Sequence, residues 1–384
     1  PLGREGVVLG LRCKSFSDTP TLEKLPINMI ELNEFPQDER FVISRGNGFE
    51  GIKDNFIKLK RFIDKKQLAL QAHFPFRFNG EDREISIGSL EDHDRIIRYL
   101  RCWELMRKKF SLSKELIFTL HPPSGKRADL KEKIEPDALL SNANTLLRRL
   151  DDTIDKESWG IKIGVENLPD SLNDYWFLGN QIEHFKRMLV NTKKHIQITF
   201  DSGHSLLTRG SLNLNTLYKF AKEEGKRFST IHFHENKGFG CAGKGNLMEV
   251  DQHRFPTPEG LPIFDQCIHH AAKDKVPLTL EVDIQEYKIP QLCTLINDLW
   301  KKLEACNSSS PLGKRRKWPL FLFHFTASSI LGSTNLQNSF GRTDFAWMNT
   351  TLPPSLRIFL ANPILALVSS GLESTRKTNS LSGG

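Results

Sequence analysis

A chain of 384 residues that is 38% hydrophobic and 26% charged fits a soluble globular protein, with one large domain or two smaller ones. Its six cysteines (Cys13, Cys102, Cys241, Cys267, Cys293, Cys306) are scattered and form no Cys-x-x-Cys pair, which argues against a disulfide framework and a thiolate zinc site and makes a reducing cytoplasm the default compartment. The net charge of +8 is carried mostly by the end of the chain: beyond residue 306 there are eight Lys/Arg against Asp344 and Glu373, which leaves +2 for residues 1–306 and weakens any reading of that part as a nucleic-acid binder.

Two strand-like segments come first, GVVLGLRC and INMIELNE. No early stretch combines a basic start, an apolar core and a small-residue cleavage site, so no secretory signal is expected. The segment FEGIKDNFIKLKRFIDKK carries apolar residues at Phe56, Ile57, Leu59, Phe62 and Ile63, the spacing of one helix face. Strand three ends at His73. The helix HDRIIRYLRCWELMRKKF leads to strand four and His121, and DALLSNANTLLRRLDDTI leads to strand five and Glu166. NQIEHFKRMLVN precedes strand six and Asp201, LNTLYKFAKEEG precedes strand seven and His232, and LPIFDQCIHHAAKD precedes strand eight and Glu281. IPQLCTLINDLWKKLEA closes the set. From residue 307 the pattern breaks into a KRRK run, two Pro-interrupted apolar stretches too short for a usual membrane span, and Ser/Thr/Asn/Gly-rich sequence.

Eight strands alternating with helices predict a (β/α)8 TIM barrel over 1–306, followed by a poorly ordered basic, partly apolar C-terminal extension over 307–384. An open doubly wound sheet is the rival, and the absence of a Gly-rich first turn counts against it.

Most of the last six strands end in His, Asp or Glu. Their endings read LALQAHFP, LIFTLHPP, IKIGVENLP, IQITFDSGH, STIHFHEN and LTLEVD, and Asp251-x-His253 follows the seventh. The C-terminal strand ends of such a barrel converge on one site. A lone His there is usually a loop hydrogen-bonding residue, and a lone acid is usually a helix cap. His73, His121, His204, His232, His234 and His253 with four acids are too regular a set for that reading. Imidazole and carboxylate together suit Zn2+, with Mn2+ or another divalent ion as substitutes. Nine ligands suit two or three ions. His93, His184, His195, His269, His270 and His324 fall elsewhere and read as structural.

The segments AHFPF, LHPPSG, VENLP, FDSGH, IHFHENKG, VDQHRFPTPEG and LEVD resemble the xylose-isomerase-like barrel superfamily and, within it, the endonuclease IV (AP endonuclease family 2) branch, over roughly residues 60–300. The resemblance implies three zinc ions. His73 and His121 would bind one. Glu166 would bridge it to a second, shared with Asp201, His232 and Glu281. His204, Asp251 and His253 would hold the third; His234 matches a non-ligand position but could replace His232. The loops after strands one and two, GLRCKSFSD and IELNEFPQDERF, depart from that branch's DNA-contacting loops, and the GFGCAGKGN segment lengthens the loop after strand seven.

Two chemistries follow. With two or three ions, the expectation is a zinc-dependent phosphodiester hydrolase that cleaves DNA at abasic sites, a metal-held water attacking phosphorus. Lys237 or Arg254 would meet a phosphate or else remain ordinary solvated charges, and Phe74, Phe76 and Phe78 beside Arg77 would stack on a flipped nucleotide or, as is commoner for such residues, pack the barrel mouth. With one ion on Glu166, Asp201, His232 and Glu281, the expectation is a sugar or sugar-phosphate isomerase or epimerase. Glu166 and Glu281 then exchange a proton with carbon on opposite faces.

Overall fold

Residues 7–13, 19–32, 50–75, 85–126, 135–172, 175–207, 212–236, 239–242, 246–249 and 251–308 are described by a computed structural model, all within the unit Pro1–Pro311. The strands are β1 (Leu9–Cys13), β2 (Met29–Leu32), β3 (Ala69–His73), β4 (Leu116–Leu120), β5 (Ile161–Glu166), β6 (Ile196–Asp201), β7 (Phe228–Phe233) and β8 (Leu278–Leu280). They close into a barrel in the order β1-β8-β7-β6-β5-β4-β3-β2, and every neighbouring pair is parallel. The helices between and after them are α1 (Thr19–Leu22), α2 (Glu50–Lys66), α3 (Leu90–Phe110), α4 (Pro136–Glu157), α5 (Ile182–Leu189), α6 (Ser202–Leu207), α7 (Leu214–Glu223), α8 (Phe264–Lys273) and α9 (Ile289–Ser308). The expected eightfold alternation is what the chain adopts. Strand eight is shorter than its sequence suggests, so Glu281 lies one residue past it, as His121 does past β4.

Period-two alternation divides the strand residues between two environments. One set is apolar and packs under the helices: Leu116, Phe118 and Leu120 of β4, Ile161, Ile163 and Val165 of β5, and Ile196, Ile198 and Phe200 of β6 are all fully buried. From α3, Ile96, Tyr99, Leu100, Trp103 and Met106 meet this layer at helical spacing. Trp103 packs edge-on against Phe56 at 5.3 Å and Phe118 at 5.4 Å. At about 1.5–3 kcal/mol per fully buried large apolar side chain, this shell supplies the main force that closes the barrel.

The alternate residues face the barrel interior, and many of them are polar. Thr279 donates to Gln71 Oε1 at 3.1 Å, the Thr230 and Thr279 hydroxyls lie 3.1 Å apart, and those of Thr199 and Ser229 lie 2.9 Å apart. A register shift between Phe228 and Thr230 turns Ser229 toward the same space. This layer is tight at Gly164, where a Cβ would overlap the hydroxyls of both Thr199 and Ser229. Gly164→Ala is therefore expected to cost about 1–3 kcal/mol through overpacking. Urea unfolding should show a lower midpoint at unchanged slope, and an unchanged midpoint would contradict the tight fit.

Two minor sheets were not foreseen: an antiparallel set of Ser124–Lys126, Tyr175–Phe177 and Ser171–Leu172, and a hairpin of Phe239–Ala242 with Asn246–Glu249. The expectations for the tail beyond Ser308, the DNA-side loops after β1 and β2, Phe76, Arg77, Phe78 and Lys237 lie outside the described residues. Among the described residues no helix is long and apolar enough to cross a membrane.

Candidate active site

Above the hydroxyl layer, every strand places a polar or charged residue at its C-terminal end: Arg12, Glu31, His73, His121, Glu166, Asp201, His232 and Glu281, in strand order. Most are removed from water. Glu31, Asp201 and His232 are 0% exposed, Glu166 1% and Glu281 2%.

Glu166 is the junction of the cluster. Its carboxylate lies 2.8 Å from His232 Nδ1, 3.2 Å from His73 Nε2 and 3.4 Å from His121 Nε2. Burial alone would raise its pKa, but the His232, His121 and His73 imidazoles win and hold it well below the ordinary carboxylate value. Glu281 lies 3.3 Å from both His232 Nδ1 and Arg12 Nη1. Its carboxyl is also held low: burial raises it, and the neighbouring Arg12 and His232 outweigh that.

The Asp-Ser-Gly-His turn works through local geometry. Asp201 Oδ1 accepts the His204 backbone N–H at 2.6 Å, so Asp201 caps α6 and places His204 beside itself. Gly203 permits the close approach of His234, because a Cβ there would overlap the His234 ring. His234 Nε2 in turn sits 2.9 and 3.0 Å from the two Asp201 oxygens. Asn167, from the VENLP segment, fixes Asp201 from behind: it accepts the Asp201 N–H at 2.6 Å and donates to the Asp201 carbonyl at 2.9 Å.

Asp251 and His253 reach the site because their segment is pinned beside β7. Glu235 and Arg254 exchange both backbone hydrogen bonds, at 2.9 and 3.1 Å. Asn236 donates to Asp251 Oδ1 at 3.1 Å. His253 Nε2 lies 2.8 Å from Asp251 Oδ2 and 3.0 Å from Arg12 Nη1. Its φ of 44° is left-handed, a conformation that a non-glycine residue keeps only where its surroundings enforce it.

All nine sequence-predicted site residues thus come together, with His234 added. Among the described residues five overlapping groups could hold a metal ion, the ligand atoms of each lying within 4.8 Å of one another: Glu166–Asp201–His232–Glu281, His73–His121–Glu166, His73–His232–Glu281, Asp201–His204–His234 and His234–His253–Glu281. His234 joins two of them, although the resemblance assigned it no ligand role. Asp251 joins none of them and instead pairs with His204 at 3.3 Å and with His253. The donor set suits a divalent cation: interleaved imidazoles and carboxylates, buried, with His234 Nδ1 and Glu31 Oε1 lacking hydrogen-bond partners.

Sequence reading missed Arg12, Glu31, Asn167 and Asn236. A signal existed for the first two, each a charged residue at an alternate position of an apolar strand. Phe74, by contrast, packs edge-on to Tyr99 at 4.9 Å and is 6% exposed, so it belongs to the wall. Arg254 is partly exposed, and its guanidinium lies 3.8 Å from Glu235. His93, His195 and His270 hydrogen-bond to Ile87, Asp155 and Asp274, away from the site, as structural histidines should.

No protein-family model matches the chain. It is 24% identical over 278 residues to an uncharacterised protein of Methanocaldococcus jannaschii, covering 70% of this chain and 88% of that one. Among solved structures it is similar to a D-tagatose 3-epimerase-like protein (TM-score 0.52, 18% identity, 78% of this chain and 98% of that one). It is also similar to an L-ribulose 3-epimerase (TM-score 0.52, 14% identity, 82% and 100%). These comparisons do not single out the endonuclease IV branch. What they establish is the fold: the chain is a (β/α)8 barrel of the kind found in these sugar-epimerase structures.

Proposed function

We propose that this chain is a metal-dependent isomerase or epimerase acting on a sugar or sugar phosphate. The observation that carries this reading is the inner group of Glu166, Asp201, His232 and Glu281. It gathers one imidazole and three carboxylates from four adjacent strands, all buried and within 4.8 Å. Glu166 and Glu281 stand at the two ends of that arc, with His232 between them. A divalent ion bound there supplies Lewis-acid charge to the oxygens flanking an acidic C–H. One of Glu166 and Glu281, as the carboxylate, would take the proton from one face of the carbon, and the other, having taken up a proton from solvent, would deliver it to the opposite face, so that the two exchange charge states in each turnover. Arg12, against Glu281, keeps that carboxylate ionised and lies where a substrate oxygen anion would be met. The epimerase structures sharing this fold support the same reading.

One observation favours a second reading, multi-ion phosphodiester hydrolysis as in endonuclease IV: the outer donors His73, His121, His204 and His253 form further ion-competent groups. Arg12 weighs against it. Its guanidinium already supplies positive charge to His253 and Glu281, and a further cation beside it would be repelled.

The test is incubation with ketopentoses, ketohexoses and their phosphates in D2O, with Mn2+, Co2+ or Zn2+ added, following deuterium entry and inversion by NMR. Exchange at the carbon next to the carbonyl is expected for at least one sugar. Absence of exchange across the panel by an ion-loaded protein, together with incision of a duplex carrying one abasic site, would replace this reading with the second.

A further inference from the structure

Glu31 has no part in the chemistry described so far, yet it is fully buried and reaches across the barrel from β2 to His232 on β7. Its Oε2 lies 3.0 Å from His232 Nε2, and its Oε1 has no hydrogen-bond partner. The other ring nitrogen, Nδ1, faces the acids: Glu166 at 2.8 Å, Glu281 at 3.3 Å and Asp201 at 3.9 Å. The two nitrogens of His232 are thus sorted between two environments. An imidazole that binds an ion through one nitrogen must carry its proton on the other, and a carboxylate accepting that N–H fixes both the tautomer and the ring orientation.

We propose that Glu31 is a positioning residue that accepts the His232 Nε2–H and so aims Nδ1 at the ring of acids, making His232 rather than His234 the imidazole of the inner ion site. His234 lacks this support. Its Nε2 is used by Asp201, and its Nδ1 has no hydrogen bond, with Asp251 Oδ1 at 3.7 Å. A carboxylate with one unpaired oxygen in a dry site does not stabilise the fold by itself. The role of Glu31 therefore lies in holding His232, which rests on the inner four forming the ion site proposed above.

The experiment measures Zn2+ and Co2+ affinity by competition with a chromophoric chelator at fixed pH, with the thermal midpoint of each variant recorded in EDTA. Glu31→Leu is expected to weaken binding about 10–100-fold while the ion-free midpoint stays level or rises. Glu31→Gln, whose amide oxygen still accepts the N–H, should recover much of that loss, a rescue that simple packing would not produce. His232→Ala should lose the inner site, and His234→Ala should weaken it far less. If Glu31→Leu does not fold, Glu31→Gln and the two histidine variants decide. A folded Glu31→Leu that binds as the wild type does, a folded Glu31→Gln that binds as weakly as His232→Ala does, or a larger loss from His234→Ala than from His232→Ala, would overturn the proposal. Wild-type protein that binds an ion but exchanges no sugar proton would overturn the functional reading and leave the role of Glu31 standing. Wild-type protein that binds no ion would overturn both.

Discussion

Glu166→Gln is expected to lower turnover of the best sugar substrate by about 10²–10⁴-fold, the range for losing a positioned general base or acid. The substitution keeps side-chain volume and removes only charge and proton capacity. At about 1.4 kcal/mol per tenfold, a thousandfold loss corresponds to roughly 4 kcal/mol of transition-state stabilisation. The same carboxylate also neutralises His232, His73 and His121, so the measurement must be made at saturating ion to separate chemistry from binding. Glu281→Gln provides the complementary case. In a two-base mechanism one variant stops deuterium entering a given epimer. The other still exchanges that hydrogen but no longer inverts the carbon, and the roles reverse when the opposite epimer is supplied. Turnover within tenfold of wild type for both variants, each shown to be ion-loaded, would sink the assignment of Glu166 and Glu281 as the proton-transfer pair.

Much of this architecture is readable in the residues because two periodicities act at once. Strands such as IQITFD alternate between apolar residues packed under the helices and polar residues in the barrel, and that alternation ends on a donor. Chain order then delivers the donors to one rim, since parallel strands share a direction. What escapes the sequence is whatever depends on reach across the barrel. Glu31 sits in a four-residue strand, MIEL, where one acid looks like the start of a polar loop. Its value comes from His232, 201 positions away. Arg12 is similar: its partners Glu281 and His253 come from the other end of the chain. His232 and His234 cannot be ranked by spacing, because residues two apart on a strand face the same way. What distinguishes them is the carboxylate behind each ring: Glu31, outside the inner four, for His232, and Asp201, one of the inner four, for His234. The balance between hydrolase and isomerase depends on the same contacts, since a guanidinium at the outer donors changes which cations the site accepts.

Affinity for a divalent ion is expected to fall about tenfold for each pH unit below the raised pKa of His232, if His232 is the one imidazole in the inner site. Burial alone would lower the His232 pKa, but Glu281, Glu31 and Glu166 raise it well above the ordinary 6.5, so the ion must displace a proton to bind. Glu166 and Glu281 are held well below 4.5 and remain ionised down to that pH, so they add nothing to the slope above it. The slope therefore counts imidazoles. Ions seated on His204 or His253 would displace further protons, since Asp201 and Asp251 raise the first to about 10 and Asp251 raises the second to about 9, each against the opposing effect of burial. A slope near one supports the single-ion site, and a slope of two or more supports the multi-ion hydrolase. Stability without ion carries the opposite sign. Raised histidines stabilise the fold fully below their unfolded pKa of about 6.5, and this is lost as pH rises through the folded values. The depressed carboxylates Glu166, Glu281 and Asp251 stabilise above their unfolded values of about 4–4.5, and that is lost on acidification. The thermal midpoint in EDTA should thus peak between about pH 4.5 and 6.5 and fall toward alkaline pH, while the added stability conferred by saturating Zn2+ grows over the same range. An EDTA midpoint that climbs from pH 6.5 to 9, or an ion affinity that ignores pH, would mean that these imidazoles do not face the acids as ligands-in-waiting.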